Sequence, residues 1–299
     1  MRAWSSARWS IPLPEGHRFP MGKYRLVRDG VLAAGLLADG AIDEPDRVPI
    51  DWLTLVHSSA YIGAVIDGAL EPAAERRLGF PWRPEVPERS LRTVQGTVEA
   101  ASDALERGAG LNLAGGTHHA FRDHGEGYCV FNDIAVAIRG LQRAGRIERV
   151  AVVDLDVHQG NGTARIFEGD PDVFTFSMHG LRNYPFRKER SRLDVALEDG
   201  TDDATYLGLV DAHLDDVLAE ARPDLVFYIA GADPYRGDRL GRLGLSVEGL
   251  RARDRKVIDA CAARGLPLAV VLGGGYADDL TDLVTIHGNT VRELVARHG

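Results

Sequence analysis

The chain has 299 residues, enough for one large α/β unit or two smaller ones, and since no break in composition divides it, a single domain over 1–299 is expected. With 44 acidic against 35 basic residues the net charge is -9, which excludes the broad basic footprint of a nucleic-acid or anionic-membrane binder while leaving room for a local basic patch. Cys129 and Cys261 lie far apart without the partners of a thiolate metal site, so a reducing, cytoplasmic setting is expected; the N-terminus lacks the apolar run of a signal peptide, and no segment approaches a membrane span.

From Arg8 to Tyr24 prolines and aromatics crowd together, predicting an ordered loop packed on the body of the protein. Arg18 within it has two readings, a contact to an active site or a stacking anchor for the aromatics. Residues 22–37 and 58–70 have helical spacing, with His57 at a capping position. Three prolines between Phe80 and Pro87 predict a surface loop. Leu91, Val94, Val98, Ala101 and Leu105 predict an amphipathic helix over 88–107, stopped by Gly108. Leu111 to Ala114 reads as a short strand that ends in Gly115-Gly116-Thr117-His118-His119. Adjacent histidines on a strand face opposite ways, but after two glycines both can enter one cleft; the alternative is one core histidine and one exposed. A second loop, 125–133, leads into a helix capped by Asn132 or Asp133. Cys129 within it reads as a small core hydrophobe, since nothing nearby would hold a thiolate.

Val150 to Val153 is apolar on both faces, as a strand buried in a parallel sheet must be. Asp154, Asp156 and His158 then alternate with Leu155 and Val157, so the three polar groups share one face at the carboxyl end, where open α/β sheets bind ligands. Asp156 and His158 can reach one metal ion, and oxygen plus nitrogen donors suit zinc or ferrous iron; the alternative is a loop capped by side chain to backbone hydrogen bonds. Gly160 and Gly162 open a loop. Val173 to Ser177 is a strand, 180–202 an arginine-rich loop with Tyr184 and Pro185 near its start, and 207–221 a helix closed by Pro223. The strand Leu225 to Ala230 ends in Gly231, Ala232 and Asp233. A lone aspartate there is usually a turn residue, but at the same sheet edge as Asp156 and His158 it can complete a three-ligand site with an open fourth position.

A helix over 247–264 and a strand over 268–272 lead to Gly273-Gly274-Gly275-Tyr276. Lacking G-K-[ST], this run is not a phosphate loop; glycines such as Gly274 would let a substrate approach the backbone while the phenol of Tyr276 points inward. A last helix covers 281–297. The alternation predicts an α/β fold, a mainly parallel sheet with helices on both faces, and every candidate residue falls where a strand ends.

Gly-Gly-Thr-His-His-Ala, Gly-Tyr-Cys-x-x-Asn-Asp, Asp-Leu-Asp-Val-His-Gln-Gly-Asn-Gly-Thr, Ala-Gly-Ala-Asp and Gly-Gly-Gly-Tyr occur between Gly115 and Tyr276 in an order and spacing that resembles the histone deacetylase family. Gly-Asp-Arg-Leu-Gly at 237–241, the Gln159 to Asn161 run and the short length look most like its class IV branch, and Glu-Gly-His-Arg-Phe-Pro-Met near the N-terminus is similar to bacterial members. The resemblance implies the arginase-deacetylase fold and one catalytic zinc held by Asp156, His158 and Asp233. It implies acid-base work by His118 and His119, backed by Asp154 and Asn161, and polarisation of the substrate carbonyl by Tyr276. Gly127 would accept the substrate amide N–H, Tyr128 and Tyr184 would wall an acyl-lysine tunnel, and Leu240 would form its rim. A structural potassium ion would use Asp154, Ser177 and the carbonyls of Asp156, His158 and Met178.

The activity so implied is hydrolysis of acyl groups from the ε-amine of lysine, with an acylated small amine such as an acetylpolyamine as the alternative substrate and the net charge favouring cations only weakly. Two other classes compete. A non-catalytic binding module would usually have lost a ligand or the phenol, and both are present. A binuclear manganese ureohydrolase would need two carboxylates where Ala232-Asp233-Pro234 offers one. Asn161 stands where better-known relatives carry an aspartate, so His119 is expected to hold its proton less tightly than theirs. Oligomeric state is not legible.

Overall fold

A computed structural model describes residues 1–299, the side chain of Asp39 excepted. Eight strands, β1 (Ala3–Trp4), β2 (Ile42–Asp43), β3 (Ala109–Asn112), β4 (Val150–Asp154), β5 (Val173–Gly180), β6 (Leu193–Leu197), β7 (Leu225–Ile229) and β8 (Leu268–Val271), form one sheet. Their order is β2-β1-β3-β8-β7-β4-β5-β6 and every pairing is parallel. Preceding β3 are α1 (Lys23–Ala33), α2 (Ile50–Leu53), α3 (Ser59–Asp67), α4 (Pro72–Leu78) and α5 (Glu85–Arg107). The crossovers are α6 (Asp133–Arg143), α7 (Asn161–Ile166), α8 (Asp203–Ala221) and α9 (Val247–Ala263), and α10 (Leu280–His298) closes the chain.

The two-residue period of the central strands divides them between two cores. Ala151 and Val153 of β4, Val226 and Tyr228 of β7, and Leu268 and Val270 of β8 face the core closed by α1, α8, α9 and α10. Their neighbours Val150, Val152, Phe227, Ile229, Ala269 and Val271 face a second core under α5 and α6. Both faces being covered, the strands are apolar throughout, and the fold is the expected parallel α/β sheet. The chain passes from β4 outward to β5 and β6, then returns to place β7 on the other side of β4. The crevice at that reversal, beyond the carboxyl ends of β4 and β7, is where such sheets open a ligand site.

Several elements differ from expectation. The strand read at 111–114 is Ala109–Asn112, because the glycine pair starts the turn earlier. Within 180–202 the run Leu193–Leu197 is an edge strand on β5, half-exposed and therefore masked by the charges around it. Where Gly160 and Gly162 predicted a loop, the chain enters the short α7. The expected loop from Phe80 to Pro87 ends at Pro84, since Pro87 falls in the first turn of α5, where a missing N–H costs nothing. β1 and β2 are too short to carry a periodicity. Among the described residues, no helix is long and apolar enough to cross a membrane.

Candidate active site

β4 and β7 pair with Asp154 opposite Ile229, so the residues that follow each strand emerge side by side. Asp156, His158 and Asp233 are buried there and each offers a ligand atom within 4.8 Å of the others. His158 Nδ1 lies 3.0 Å from Asp156 Oδ1 and 3.1 Å from Asp233 Oδ2. Asp233 Oδ1 accepts the Val157 N–H at 2.9 Å, whereas its buried Oδ2 has only the His158 ring beside it, 3.1 Å away and out of line for a hydrogen bond. Gly274 packs against this point: a Cβ there would lie 2.6 Å from Asp156 Oδ2 and closer still to Asp233 Oδ2. Two carboxylates, one imidazole, an orphaned oxygen and a cradle that any side chain would fill fit a single zinc or ferrous ion. Burial disfavours a charged His158, but Asp233 and Asp156 outweigh it and lift its pKa to about 10. Burial lifts Asp233 to about 6, while Asp156, beside His118 and His158, stays below the usual carboxylate range.

The histidine pair is held from behind. Asp133 accepts the N–H of Gly116 at 3.0 Å and of Thr117 at 2.8 Å, fixing the turn that aims both rings into one cleft. Asp133 is therefore a turn clamp, and Asn132 the helix cap. His118 Nδ1 donates to Asp154 Oδ2 at 2.7 Å. Burial opposes its protonation, yet Asp154 raises the pKa to about 9. His119 Nδ1 lies 2.7 Å from Asn161 Oδ1, and Asn161 Nδ2 donates to Glu126 Oε1 at 2.7 Å. Glu126, absent from the sequence reading, accepts only; it therefore fixes the amide with its oxygen toward His119, so Nδ1 of that ring carries the hydrogen and Nε2 is free. Burial, then the charges of His118 and His158, push the His119 pKa well below its ordinary value.

A cavity of about 490 Å³, within the range of small-molecule sites, opens above these groups and is lined by His119, His158, Gly127, Tyr128, Tyr184, Leu240 and Tyr276 among others. The rings of Tyr184 and His119 meet edge to face at 5.1 Å, and Tyr276 stands 6.3 Å from His158. Gly127 has φ 55° and a Cβ there would come within 2.7 Å of the His119 ring, so the backbone approaches the cleft as only glycine permits. Tyr128 follows at φ 67°, a conformation rare outside glycine that turns its ring toward the cavity. Tyr276 is buried, its N–H bonded to Asp238 at 2.6 Å. Burial, then Asp233 and Asp156, hold its phenol protonated far above the ordinary range. Lys23 is 3 % exposed, donates to the carbonyls of Gly274 and Gly275, and lies 5.1 Å from the Tyr276 ring. Sequence reasoning missed it, because a lysine in an amphipathic helix normally marks the wet face.

Gly274, expected beside the substrate, packs behind the Asp156 and Asp233 carboxylates and is not among the described residues of the cavity wall. Arg18 is exposed at the cavity mouth and, among the described residues, stacks on no ring; Lys23, Arg89 and Arg92 are among the cations that pack on the N-terminal aromatics instead. His57 is a core residue, accepting the Asn132 N–H at 3.0 Å. Asp154 and Ser177 are register partners, with Met178 buried beside them. Burial raises the Cys129 thiol far above its ordinary pKa, in keeping with a core role.

The sequence matches the Histone deacetylase domain over residues 17–291. An uncharacterized protein of Picosynechococcus sp. is 49% identical over 276 residues, 92% of each chain. Histone deacetylase 2 of Arabidopsis thaliana is 33% identical over 87% of this chain and 70% of its own length. The crystal structure of an HDAC homolog complexed with SAHA has the same fold, with a TM-score of 0.84 at 21% identity over 99% of this chain and 85% of the other. Spanning nearly every element that builds the cleft, the match means that this chain belongs to the histone deacetylase family, a deacetylase hydrolase on the arginase-deacetylase fold.

Proposed function

We propose that the protein is a zinc-dependent lysine deacylase, one catalytic domain over 1–299 that removes acetyl or related acyl groups from the ε-amine of lysine. The observation that carries this reading is the convergence of Asp156, His158 and Asp233 beneath a cavity that His119 and Tyr276 also line. An ion held by the three would polarise an amide carbonyl and acidify a water. His119 Nε2 is the nitrogen that would take up the water proton, because Asn161 occupies Nδ1 and burial keeps the ring neutral beforehand. The same nitrogen then delivers the proton to the departing amine. His118, charged against Asp154, steadies the negative charge that builds on the attacked carbonyl. Tyr276, kept protonated, donates its hydroxyl to the carbonyl oxygen as that charge grows. Tyr128 and Tyr184 flank the alkyl chain and exclude water, the Gly127 carbonyl accepts the amide N–H, and Leu240 shapes the rim.

The same reading assigns a potassium ion to Asp154, Ser177 and the carbonyls of Asp156, His158 and Met178, where it would brace the ends of β4 and β5. Gln159 and Asn161 favour the class IV branch, and two buried free cysteines suit the cytoplasm. Hydrolysis of an acetyl-lysine peptide tests the assignment. Chelation should abolish turnover and zinc restore it; Asp233→Ala should be inactive, and Tyr276→Phe should lose ~10²-fold to ~10³-fold in kcat. Turnover that survives both the chelator and Asp233→Ala would refute the metal mechanism.

A further inference from the structure

Six arginines, Arg18, Arg76, Arg77, Arg182, Arg239 and Arg242, line the cavity mouth, and no aspartate or glutamate is among its described lining residues. This is the reverse of what a net charge of -9 leads one to expect. All six are exposed, and they come from the N-terminal loop, the end of α4, the loop after β5 and the loop after β7, so they surround the opening. Their ion pairs leave an excess of positive charge. Arg182 and Arg242 share Asp199 at 3.7 and 3.4 Å, Arg182 also faces Glu198 at 3.8 Å, and Arg239 meets Asp278 at 3.2 Å. Arg18, Arg76 and Arg77 form no ion pair among the described residues; Asp123, within reach of the Arg77 charge, pairs with His124 instead. Arg18 and Arg239 line the same cavity as Tyr128, and Arg77 the same cavity as Tyr184, on which Glu126 is the stronger charge. Beside Tyr184, at 6.3 Å, the ring of Phe186 is 87 % exposed at the same rim.

We propose that the substrate brought to this mouth is an acidic polypeptide segment, with carboxylates on both sides of the acylated lysine. The inference rests on the deacylase reading and adds to it the chemistry of the flanking sequence. A guanidinium ring matches carboxylates in charge and fork geometry, and a low-dielectric cavity focuses its field outward. One small anion would engage a single side of the ring, whereas a chain lying across the opening meets both. Phe186 offers an apolar contact outside the tunnel that only a chain longer than one residue can use. An acetylpolyamine, with its remaining amines charged, is repelled by the same groups.

The test uses the zinc-loaded protein and peptides with one central acetyl-lysine flanked by glutamate and aspartate, by serine and glycine, or by lysine and arginine, beside acetylputrescine and free acetyl-lysine. The acidic peptides should exceed the neutral ones in kcat/KM by about tenfold or more and the basic ones by more still, the gap narrowing in about 0.5 M salt. In a folded Arg76→Glu/Arg77→Glu variant the ratio of acidic to neutral turnover should fall toward one; if that variant does not fold, the salt dependence of the native protein carries the test. Equal turnover of acidic and basic peptides, or turnover of a small acylated amine ahead of every peptide, overturns the inference while leaving a deacylase. Failure on all acylated amines overturns the deacylase reading itself.

Discussion

Asn161 decides which nitrogen of His119 is free to move a proton. Its amide is pinned by Glu126, so it accepts from Nδ1 and leaves Nε2 toward the cavity. A neutral amide does little to hold a second proton on the ring, and His119 is kept neutral by burial and by its two histidine neighbours. Asn161→Asp would place a carboxylate there and raise the His119 pKa. If, as proposed, the neutral ring is the base, the acidic limb of the pH profile of kcat/KM should move to higher pH, by about one unit; an unmoved limb would exclude His119 as that base. Gly274 supplies a second prediction. With φ 52° and its Cα against the carboxylates of Asp233 and Asp156, it admits no side chain. Gly274→Ala should stay folded by circular dichroism, since a single αL alanine costs only about 1–2 kcal/mol, yet bind well under one metal ion per chain by elemental analysis. A full complement of metal would show that the carboxylates can retreat. That Asp156, His158, Asp233 and the histidine pair would come together was legible because each stands just past the carboxyl end of a buried strand of one parallel sheet. Glu126 and Lys23 were not, since their partners lie across the fold and a charged residue near a loop or in an amphipathic helix ordinarily meets water.

At the scale of elements, the site depends on α9 through Arg253, which is 0 % exposed and donates to the carbonyls of Leu155 at 3.1 Å and Gly231 at 2.7 Å. These carbonyls belong to the turns that carry Asp156 and Asp233, so one guanidinium ties the ends of β4 and β7 to a helix on the far core. Its charge is met by Asp254 Oδ1 at 2.8 Å, which also accepts the Tyr228 hydroxyl. Arg253→Met keeps much of the volume but leaves the buried Asp254 carboxyl without its guanidinium partner and two carbonyls without a donor. The variant should lose about 3–5 kcal/mol in denaturant unfolding, and metal affinity with it. A loss under about 1 kcal/mol would mean that the turns hold themselves. The central strands and long helices were readable from periodicity because burial on two faces, or on one helical stripe, imposes a pattern. β1, β2 and β6 were not: the first two have two residues each and the third lies half-exposed at an edge, so none carries enough buried positions to repeat. Arg253 escaped notice because it sits in a helix whose other arginines point outward.

For the whole molecule, net charge was readable but its placement was not: arginines as distant as 18 and 242 meet only because the loops above the sheet converge. The response to acid is likewise a property of the folded body. Burial lowers the pKa of His57 to about 4 and that of His287 to about 3, and neither touches the proposed ligands. Both are depressed relative to the ordinary histidine value near 6.5, so below that pH the unfolded chain takes up protons that the folded chain refuses, and stability falls as pH drops toward the folded values. Each such histidine should cost about 2 kcal/mol between pH 7 and pH 5. His118 and His158 act in the opposite sense in the ion-free protein, their raised values favouring the fold in acid until pH rises through about 9 and about 10. Comparing native protein with His287→Leu at equal metal content cancels that term. Leucine fills the buried position in α10 without a titrating group, so the variant's unfolding free energy should fall less between pH 7 and pH 5, by about 2 kcal/mol. Parallel curves for the two proteins would show that His287 finds its proton in the folded state as easily as in the unfolded one, and the acid response would then have to come from His57 and the carboxylates.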